Sequence, residues 1–183
     1  MGTNIHDTHL FEALEAYPYN LSEAIESLNY ALSYDDKNTL ALCLKGRIYA
    51  EQLKDYEEAK TCYEEALAVD IHALDVYPNF ILTLIWNEDY EQAQKLIDFA
   101  MQIKGMDKAL IHMKQATLYE SQHLFKEASK AIKLAKLSNY ETDLQADIIE
   151  QQNRIKDKLR MISDKKTKKN KPTNKKKAEK KKK

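Results

Sequence analysis

The sequence predicts an all-α protein built from repeated helical hairpins. Three observations predict it: turn-forming residues are scarce, helix-forming residues are abundant, and alanines recur at a nearly constant interval. Only 3 glycines and 3 prolines occur in 183 residues. Sheets and sandwiches need many turns, and turns consume glycine and proline. Abundant Ala, Leu, Glu, Lys and Gln favour helices joined by short polar turns.

The recurring alanines mark the second helix of each predicted hairpin. Four of them follow one another at intervals of 35, 34 and 35 residues: Ala24, Ala59, Ala93 and Ala128. Seven residues after each stands another alanine, and four residues after each stands a larger apolar side chain (Leu28, Tyr63, Ile97 and Ile132). The small residue lets the second helix approach the first, and the larger one fills the space beside it. One hairpin cannot bury its apolar stripe alone, so we expect the hairpins to stack into a solenoid.

This pattern resembles the tetratricopeptide repeat, whose period is 34 residues. The second unit matches best, because Gly46 and Tyr49 occupy the Gly and Tyr positions of the repeat. In the third unit Ile81 stands in place of the glycine, and one residue is inserted around Leu53-Lys54. The resemblance covers about residues 5–142 and implies four hairpin units, at about 5–38, 39–73, 74–107 and 109–142. In the first unit only the second helix, Ser22 to Tyr34, fits the pattern well.

Residues 143–164 are predicted to form one C-terminal helix. Its apolar residues recur at intervals of 4, 7, 4 and 3, which is a narrow seam of heptad type: Leu144, Ile148, Ile155, Leu159 and Ile162. We expect this helix to cap the open end of the solenoid, because helical arrays need a polar terminal cap. The alternative is a coiled coil through the same seam, which would make the protein a self-assembling structural module. We therefore expect a monomer or a weak dimer.

The last segment, residues 165–183, is a lysine-rich tail. It holds 12 of the 29 basic residues and 1 of the 29 acidic residues, so the preceding body carries 17 basic and 28 acidic side chains. Having almost no apolar residue, the tail is predicted to be disordered. It could bind RNA, the ribosome or another polyanion without sequence specificity, serve in nuclear import, act as a solubility arm, or fold onto the acidic body. The lysines predicted to bind a polyanion are Lys165, Lys166, Lys168, Lys169, Lys175, Lys176 and Lys177.

No pattern in the sequence indicates catalysis, a cofactor or a metal site. Neither a GxxxxGK[ST] nor a GxGxxG phosphate loop occurs, and no GxSxG elbow is present. Cys43 and Cys62 lie within helical patterns and are expected to be buried. His6 and His9 with Asp7 form the one histidine cluster, which we interpret as a chance arrangement. The N-terminal residues lack the pattern of a secretory signal. We expect a soluble cytoplasmic protein, or a nuclear one in a eukaryotic cell, that is not an enzyme.

The resemblance implies that the first helices line a concave groove that binds a segment of a partner protein. Residues at the lining phase of the first helices are Leu40, Cys43, Arg47, Leu82, Ile85, Trp86, Met113 and Thr117. The positions of the carboxylate clamp found in some chaperone-binding repeats hold His9, Cys43, Leu44 and Pro78, so that ligand class is not expected.

The stretch from Phe80 to Trp86 is apolar on nearly every side, and a helix of that kind is buried on every side. Two explanations stay open. A partner could cover Leu82, Ile85 and Trp86, with Trp86 as the anchor. Alternatively, the curvature of the solenoid or the C-terminal helix of the same chain could cover them. The function expected from the sequence is a noncatalytic scaffold or adaptor.

Overall fold

In a computed structural model, the chain is described at residues 5–139 and 143–169, with side chains from 8 to 139 and from 143 to 163. The described residues form helices and no strand, which confirms the predicted all-α class. The helices are α1 (Ile5–Ala16), α2 (Leu21–Tyr34), α3 (Thr39–Arg47), α4 (Tyr56–Val69), α5 (Val76–Trp86), α6 (Tyr90–Ala100), α7 (Lys108–Ser121), α8 (Phe125–Ser138) and α9 (Gln145–Lys169). A π-helical turn, Ile48–Leu53, continues α3.

The helices pack as four antiparallel pairs: α1 with α2, α3 with α4, α5 with α6, and α7 with α8. Each second helix also contacts the first helix of the next pair, and α3, α5 and α7 contact one another in order. The four phased alanines are all 0% exposed, as the close approach of the paired helices requires: Ala24, Ala59, Ala93 and Ala128. The predicted solenoid of four hairpins is therefore confirmed.

Several helices begin at a side chain that caps them. Asn20, Asn38, Asp55 and Asp107 each accept a hydrogen bond from the backbone N–H three residues later, at 3.0 to 3.4 Å. These bonds satisfy N–H groups that the first turn of a helix leaves without an intrahelical partner. The capping residues stand in the short polar segments between the apolar patterns, so the helix starts follow directly from the sequence.

The turns inside the second, third and fourth hairpins share one backbone conformation. Lys54, Glu88 and His123 all have left-handed backbones, with φ of 58°, 63° and 59°. In the third and fourth units, the following residue closes the helix end by bonding back five residues: Asp89 N–H to the Leu84 carbonyl at 2.9 Å, and Leu124 N–H to the Tyr119 carbonyl at 2.8 Å. Helices commonly end this way, usually with glycine at the left-handed position.

The inserted residue of the second unit is absorbed by the π-helical turn. Here the closing bond runs from Asp55 N–H to the Tyr49 carbonyl at 3.0 Å, across six residues instead of five. A π turn holds one more residue than an α-helical turn, so the helix end keeps the same form despite the insertion. The same turn carries Glu51, which faces the end of α1.

Gly46 packs directly against an aromatic ring of the second helix of its hairpin. A Cβ added there would lie 2.7 Å from Tyr63 Cε1. Tyr63 is buried and stacks on Phe80 with ring centroids 5.4 Å apart, so its ring has little room to move. In the fourth unit the two sizes compensate at these repeat positions: Ala116 on the first helix is larger than Gly46, and Ile132 on the second helix is smaller than Tyr63.

Helix α9 covers the fourth hairpin, as the predicted cap requires. Ile148 and Ile155 are buried against that hairpin, and Leu144 and Leu159 are partly buried there. Gln151 donates to the Thr117 hydroxyl at 3.0 Å and to the Met113 carbonyl at 3.2 Å. The cap therefore uses the seam that the alternative coiled coil would need, and self-assembly through those positions would require α9 to leave its own hairpin.

A buried carboxylate fastens α9 to α7. Arg154 donates to both carboxylate oxygens of Glu120, with Nη2 at 2.8 Å and Nε at 3.2 Å, and Lys158 Nζ donates at 2.9 Å. Desolvation raises the pKa of Glu120, but the hydrogen bonds from Arg154 and Lys158 outweigh it and hold the pKa below its ordinary value.

The boundary between cap and tail differs from the prediction. The helix continues to Lys169, five residues beyond the predicted end at residue 164, so the first part of the predicted disordered tail is helical. Lysine has a high helix propensity, which allows the helix to continue where apolar residues have ceased. Residues 170–183, including Lys175, Lys176 and Lys177, lie outside the described part of the chain.

We expect Gly46→Ala to lower the free energy of unfolding by about 1–2 kcal/mol, because the gain in helix propensity is smaller than the cost of the clash with Tyr63. In a Tyr63→Ile background, which copies the Ala–Ile pair of the fourth unit, the same substitution should instead stabilise by up to about 1 kcal/mol. Urea unfolding of the four variants measures both effects. A Gly46→Ala effect of the same sign in both backgrounds would contradict the packing account.

We expect Glu88→Gly to raise the free energy of unfolding by about 0.5–1 kcal/mol, because glycine has no steric cost in the left-handed conformation. Glu88→Ala is the matched control, since alanine removes the same side chain and keeps that cost. Thermal unfolding should rank the glycine variant above both wild type and alanine. An equal effect of glycine and alanine would mean that the side chain, and not the backbone, decides the stability at this turn.

We expect Glu120→Gln to destabilise the protein by about 1–2 kcal/mol near neutral pH, where it weakens the charged hydrogen bonds to Arg154 and Lys158. A lowered pKa in the folded state stabilises above the unfolded pKa of about 4.3, and this contribution is lost as the pH falls through the folded value. The difference between wild type and Glu120→Gln should therefore shrink below about pH 4. Urea unfolding at several pH values measures it. A difference independent of pH would contradict the assignment.

Candidate functional site

A pocket of about 350 Å³ opens on the face formed by the first helices of the hairpins. All the residues that line it come from α1, α3, α5, α7 and the residue before α5, and none comes from a second helix: Leu14, Leu40, Cys43, Leu44, Arg47, Asp75, Pro78, Asn79, Leu110 and Lys114. We call it the concave pocket. Its volume lies within the range of small ligand sites in proteins.

The lining residues occupy a few equivalent positions of the repeat. Gly46, Ile81 and Ala116 are the equivalent residues near the centres of the first helices, where α3 is counted together with its π-helical continuation. Six residues before these centres stand Leu40, Asp75 and Leu110, and two residues before them stand Leu44, Asn79 and Lys114. Intervals of three and four residues keep side chains on one face of a helix, so stacking the units aligns these faces.

The floor of the pocket joins α3 to α5. Asn79 Nδ2 donates to the Asp75 carbonyl at 2.8 Å and approaches Cys43 Sγ at 3.6 Å, while the Cys43 thiol donates to the same carbonyl at 3.7 Å. Burial raises the pKa of Cys43 to about 11, so the thiol is protonated at neutral pH. Because thiolates and not thiols are the reactive form, Cys43 acts here as a small packed side chain.

Arg47 forms one wall of the pocket and is held in place by two neighbours. Its guanidinium lies over the ring of Tyr17, with Cζ 4.9 Å from the ring centroid. Its Nε donates to Glu51 Oε1 at 3.5 Å, and the Tyr17 hydroxyl donates to the other oxygen of Glu51. The inserted π-helical turn carries Glu51, so the insertion found in the sequence contributes to the position of Arg47.

Lys114 lines the opposite wall, on α7. Burial lowers its pKa, although the more distant carboxylates of Glu51 and Asp147 pull it upward. Among the described residues, no carboxylate lies within ion-pair distance of its amine. The pocket thus combines apolar leucines with two cationic side chains.

The concave pocket brings together three of the predicted groove residues, Leu40, Cys43 and Arg47. Leu40 is exposed, whereas Cys43 is 3% exposed and forms part of the floor. Sequence reasoning did not find the pocket residues on α1 and α7. It also did not assign to the groove the residues that stand two places before each helix centre. Applying one repeat phase to every unit would have found Asp75, Leu110 and Lys114, because they are the equivalents of Leu40 and Leu44.

The predicted residues at the end of α5 do not form one site. Ile85 is 3% exposed and belongs to the core between the second and third units, so its assignment to the groove was wrong. Leu82 is partly buried and follows Asp75 and Asn79 on the same helix face. Trp86 is 39% exposed and lies beside the turn of the second unit, with Lys54 Nζ 5.6 Å from its ring centroid.

The predicted groove residues of the fourth unit are covered by the chain itself. Met113 packs with the cluster that buries α9, and Thr117 is hydrogen-bonded to Gln151 of that helix. Their assignment to a partner site was therefore wrong, because α9 occupies the place that the first helix of a fifth unit would take. The two explanations left open by the sequence concerned α5, and α9 packs on α7 and α8 instead. On α5, Ile85 is buried in the core between neighbouring units, whereas Trp86 keeps an exposed surface.

At the remaining predicted sites the described residues make few contacts. His9 stacks on Tyr30, with ring centroids 5.4 Å apart, while the side chains of His6 and Asp7 lie outside the described part. In the described residues no group of three or more His, Cys, Asp or Glu side chains could hold a metal ion. No helix in that same part is both long and apolar enough to cross a membrane. The backbone at Lys165, Lys166, Lys168 and Lys169 is helical.

Comparisons with known proteins agree with the repeat architecture. A profile of the tetratricopeptide repeat family matches residues 40–70, which form α3, the π-helical turn and α4. The crystal structure of PilW, described as a widely conserved type IV pilus biogenesis factor, is similar with a TM-score of 0.68. That alignment has 16% sequence identity and covers 86% of this chain and 77% of the PilW chain. None of the curated protein sequences matches this chain.

The profile match falls on the unit that has the Gly46 and Tyr49 signature, and the structure repeats the same hairpin before and after it. The phased alanines are buried at equivalent places in all four hairpins. The described part of the chain therefore has the fold of a tetratricopeptide-repeat solenoid, and its second unit matches the profile of that repeat.

Proposed function

We propose that the protein is a noncatalytic scaffold that binds a segment of a partner protein in its concave pocket. The observation that carries this proposal is the composition of the pocket. It is open to solvent, it is built from equivalent positions of successive first helices, and it mixes exposed apolar side chains with polar groups. Such a mixture suits a peptide, whose side chains and backbone offer both kinds of contact.

Two further features support binding of an extended segment. Leu40 and Leu110 lie at the same repeat position on α3 and α7, so apolar contacts are available at both sides of the pocket. From the pocket, the exposed face of α5 continues through Leu82 to Trp86. A segment that leaves the pocket along this face would reach an aromatic side chain, a residue type that often contributes strongly to interfaces.

The proposal predicts that a charge placed in the pocket abolishes peptide binding. A displayed library of random 12-residue peptides, selected on the full-length protein, supplies the probe. Leu40→Glu should weaken the selected peptides at least tenfold, or about 1.4 kcal/mol, because it replaces an apolar contact surface with a hydrated carboxylate that the peptide would have to desolvate.

The matched control is Leu137→Glu, which makes the same change at an exposed leucine of the second helix α8. Isothermal titration calorimetry measures affinity, and circular dichroism establishes that both variants remain folded. Selected peptides that bind wild type and Leu40→Glu equally, or that lose affinity only with Leu137→Glu, would refute the proposed site.

A further inference from the structure

The outer surface of the second helices changes its charge at the fourth unit. Four positions of each second helix face away from its buried alanines: two residues before the phased alanine, and two, five and nine residues after it. In the first three units these positions hold five carboxylates and one lysine: Ser22, Glu26, Asn29, Ser33, Glu57, Thr61, Glu64, Ala68, Glu91, Lys95, Asp98 and Gln102. In the fourth unit they hold Lys126, Lys130, Lys133 and Leu137, and all sixteen residues are exposed. We call these three lysines of α8 the convex lysine row.

No carboxylate of the described residues neutralises the convex lysine row. None of its three amines lies within ion-pair distance of an acid. Glu127 is the one acidic residue of α8, and it lies about 100° around the helix from Lys126. The row therefore keeps its positive charge available for an anion from outside the described chain.

Helix α9 brings further cations to the start of this row. It runs parallel to α7, so its second half passes the beginning of α8, where Lys158 Nζ lies 5.6 Å from the ring centroid of Phe125. Glu120, the carboxylate beside it, is already bound by Arg154 and Lys158. From residue 154 to its end at residue 169, α9 holds eight basic and two acidic residues. The row thus begins beside the helix that carries the C-terminal lysines.

An exposed aromatic ring stands next to the first lysine of the row. His123 lies in the turn between α7 and α8 and is exposed, and its ring centroid is 5.8 Å from that of Phe125. Proteins that bind single-stranded nucleic acids combine cations, which contact the phosphates, with planar side chains, on which bases stack. The start of α8 offers both kinds of group.

The arrangement favours a nucleic acid over other anionic partners. Lys126 and Lys133 are seven residues apart, or about 10 Å along the helix, so the row presents its charges in a line, as a strand does. Insertion into a membrane surface needs apolar side chains in the middle of the face, whereas the exposed leucines of α8, Leu134 and Leu137, stand at one end. An acidic protein segment would use the lysines but would leave the ring of His123 without a flat partner.

We propose that the convex lysine row and His123 bind single-stranded nucleic acid, with the lysines on phosphates and the imidazole on a base, and that the lysines at the end of α9 extend the contact. This surface belongs to a second helix and its turn, whereas only first helices and the residue before α5 line the concave pocket. It therefore does not depend on whether the pocket binds a peptide. Binding through phosphates is insensitive to sequence and weakens steeply with salt.

The test measures fluorescence anisotropy of a labelled, unstructured 20-nucleotide RNA with the full-length protein. Replacing Lys126, Lys130 and Lys133 together by Gln should weaken binding at least about tenfold at about 0.1 M salt, and should reduce the slope of log K against log salt by about 2, because each phosphate contact on a single strand contributes about 0.7. The matched control replaces Lys37, Lys95 and Lys104 by Gln, which removes the same charge from exposed lysines of the first three units. It should change affinity less than about threefold.

The contribution of the ring is tested separately. His123→Ala should weaken RNA binding about fivefold and should leave the affinity for an abasic strand of the same length unchanged, because only the RNA has bases to stack. An abasic strand that binds wild type as tightly as the RNA would overturn the assignment to a nucleic acid.

Several other results would overturn the proposal. The wild-type protein might leave the RNA unbound, or the two triple variants might lose equal affinity or none, in which case overall charge or the C-terminal lysines alone hold the strand. Vesicles of phosphatidylserine and phosphatidylcholine, or polyglutamate of the same charge as the RNA, supply the remaining comparison. If either binds more tightly than the RNA and loses affinity only with the variant of the convex lysine row, the surface belongs to a membrane or to an acidic protein instead.

Discussion

The close contact between the two helices of each hairpin is the constraint on which the rest of the structure depends. An alanine with no exposed surface stands at each crossing, and a larger side chain fills the space one turn later. Because the crossing is set by side-chain size, neighbouring hairpins adopt the same shape and stack with their first helices on one side. The concave pocket is a consequence of this stacking, since its lining residues recur at the same repeat positions.

The same constraint explains why departures from the repeat lie near the candidate site. The extra residue in the second unit would shift the turn and the second helix if α3 remained purely α-helical. A π-helical turn absorbs it and keeps the closing hydrogen bond of the helix end. That turn also places Glu51 where it meets Tyr17 and Arg47. The irregular backbone thus helps to orient one of the two cations in the pocket.

The hairpin architecture could be predicted from the sequence because alanine spacing reports helix crossings directly. The first helix was less apparent, since α1 lacks the glycine and tyrosine signature, although Leu10, Ala13 and Tyr17 are buried at helical spacing. The site was predicted only in part. Periodicity assigns a face to each residue but does not show which neighbour covers that face. Met113 and Thr117 have the correct phase for the groove, yet α9 covers them, and its ends are not marked by a repeat signature.

The central claim is that the face of the first helices is the open binding surface, with the C-terminal helix closing its end at the fourth unit. Amide hydrogen exchange of the full-length protein, measured with and without a saturating library-selected peptide, tests it most directly. The account predicts slower exchange in α3, in the first turns of α5 and in the first half of α7, with α4, α6 and α8 unchanged. Slowing confined to those second helices, or to the seam between α8 and α9, would contradict it.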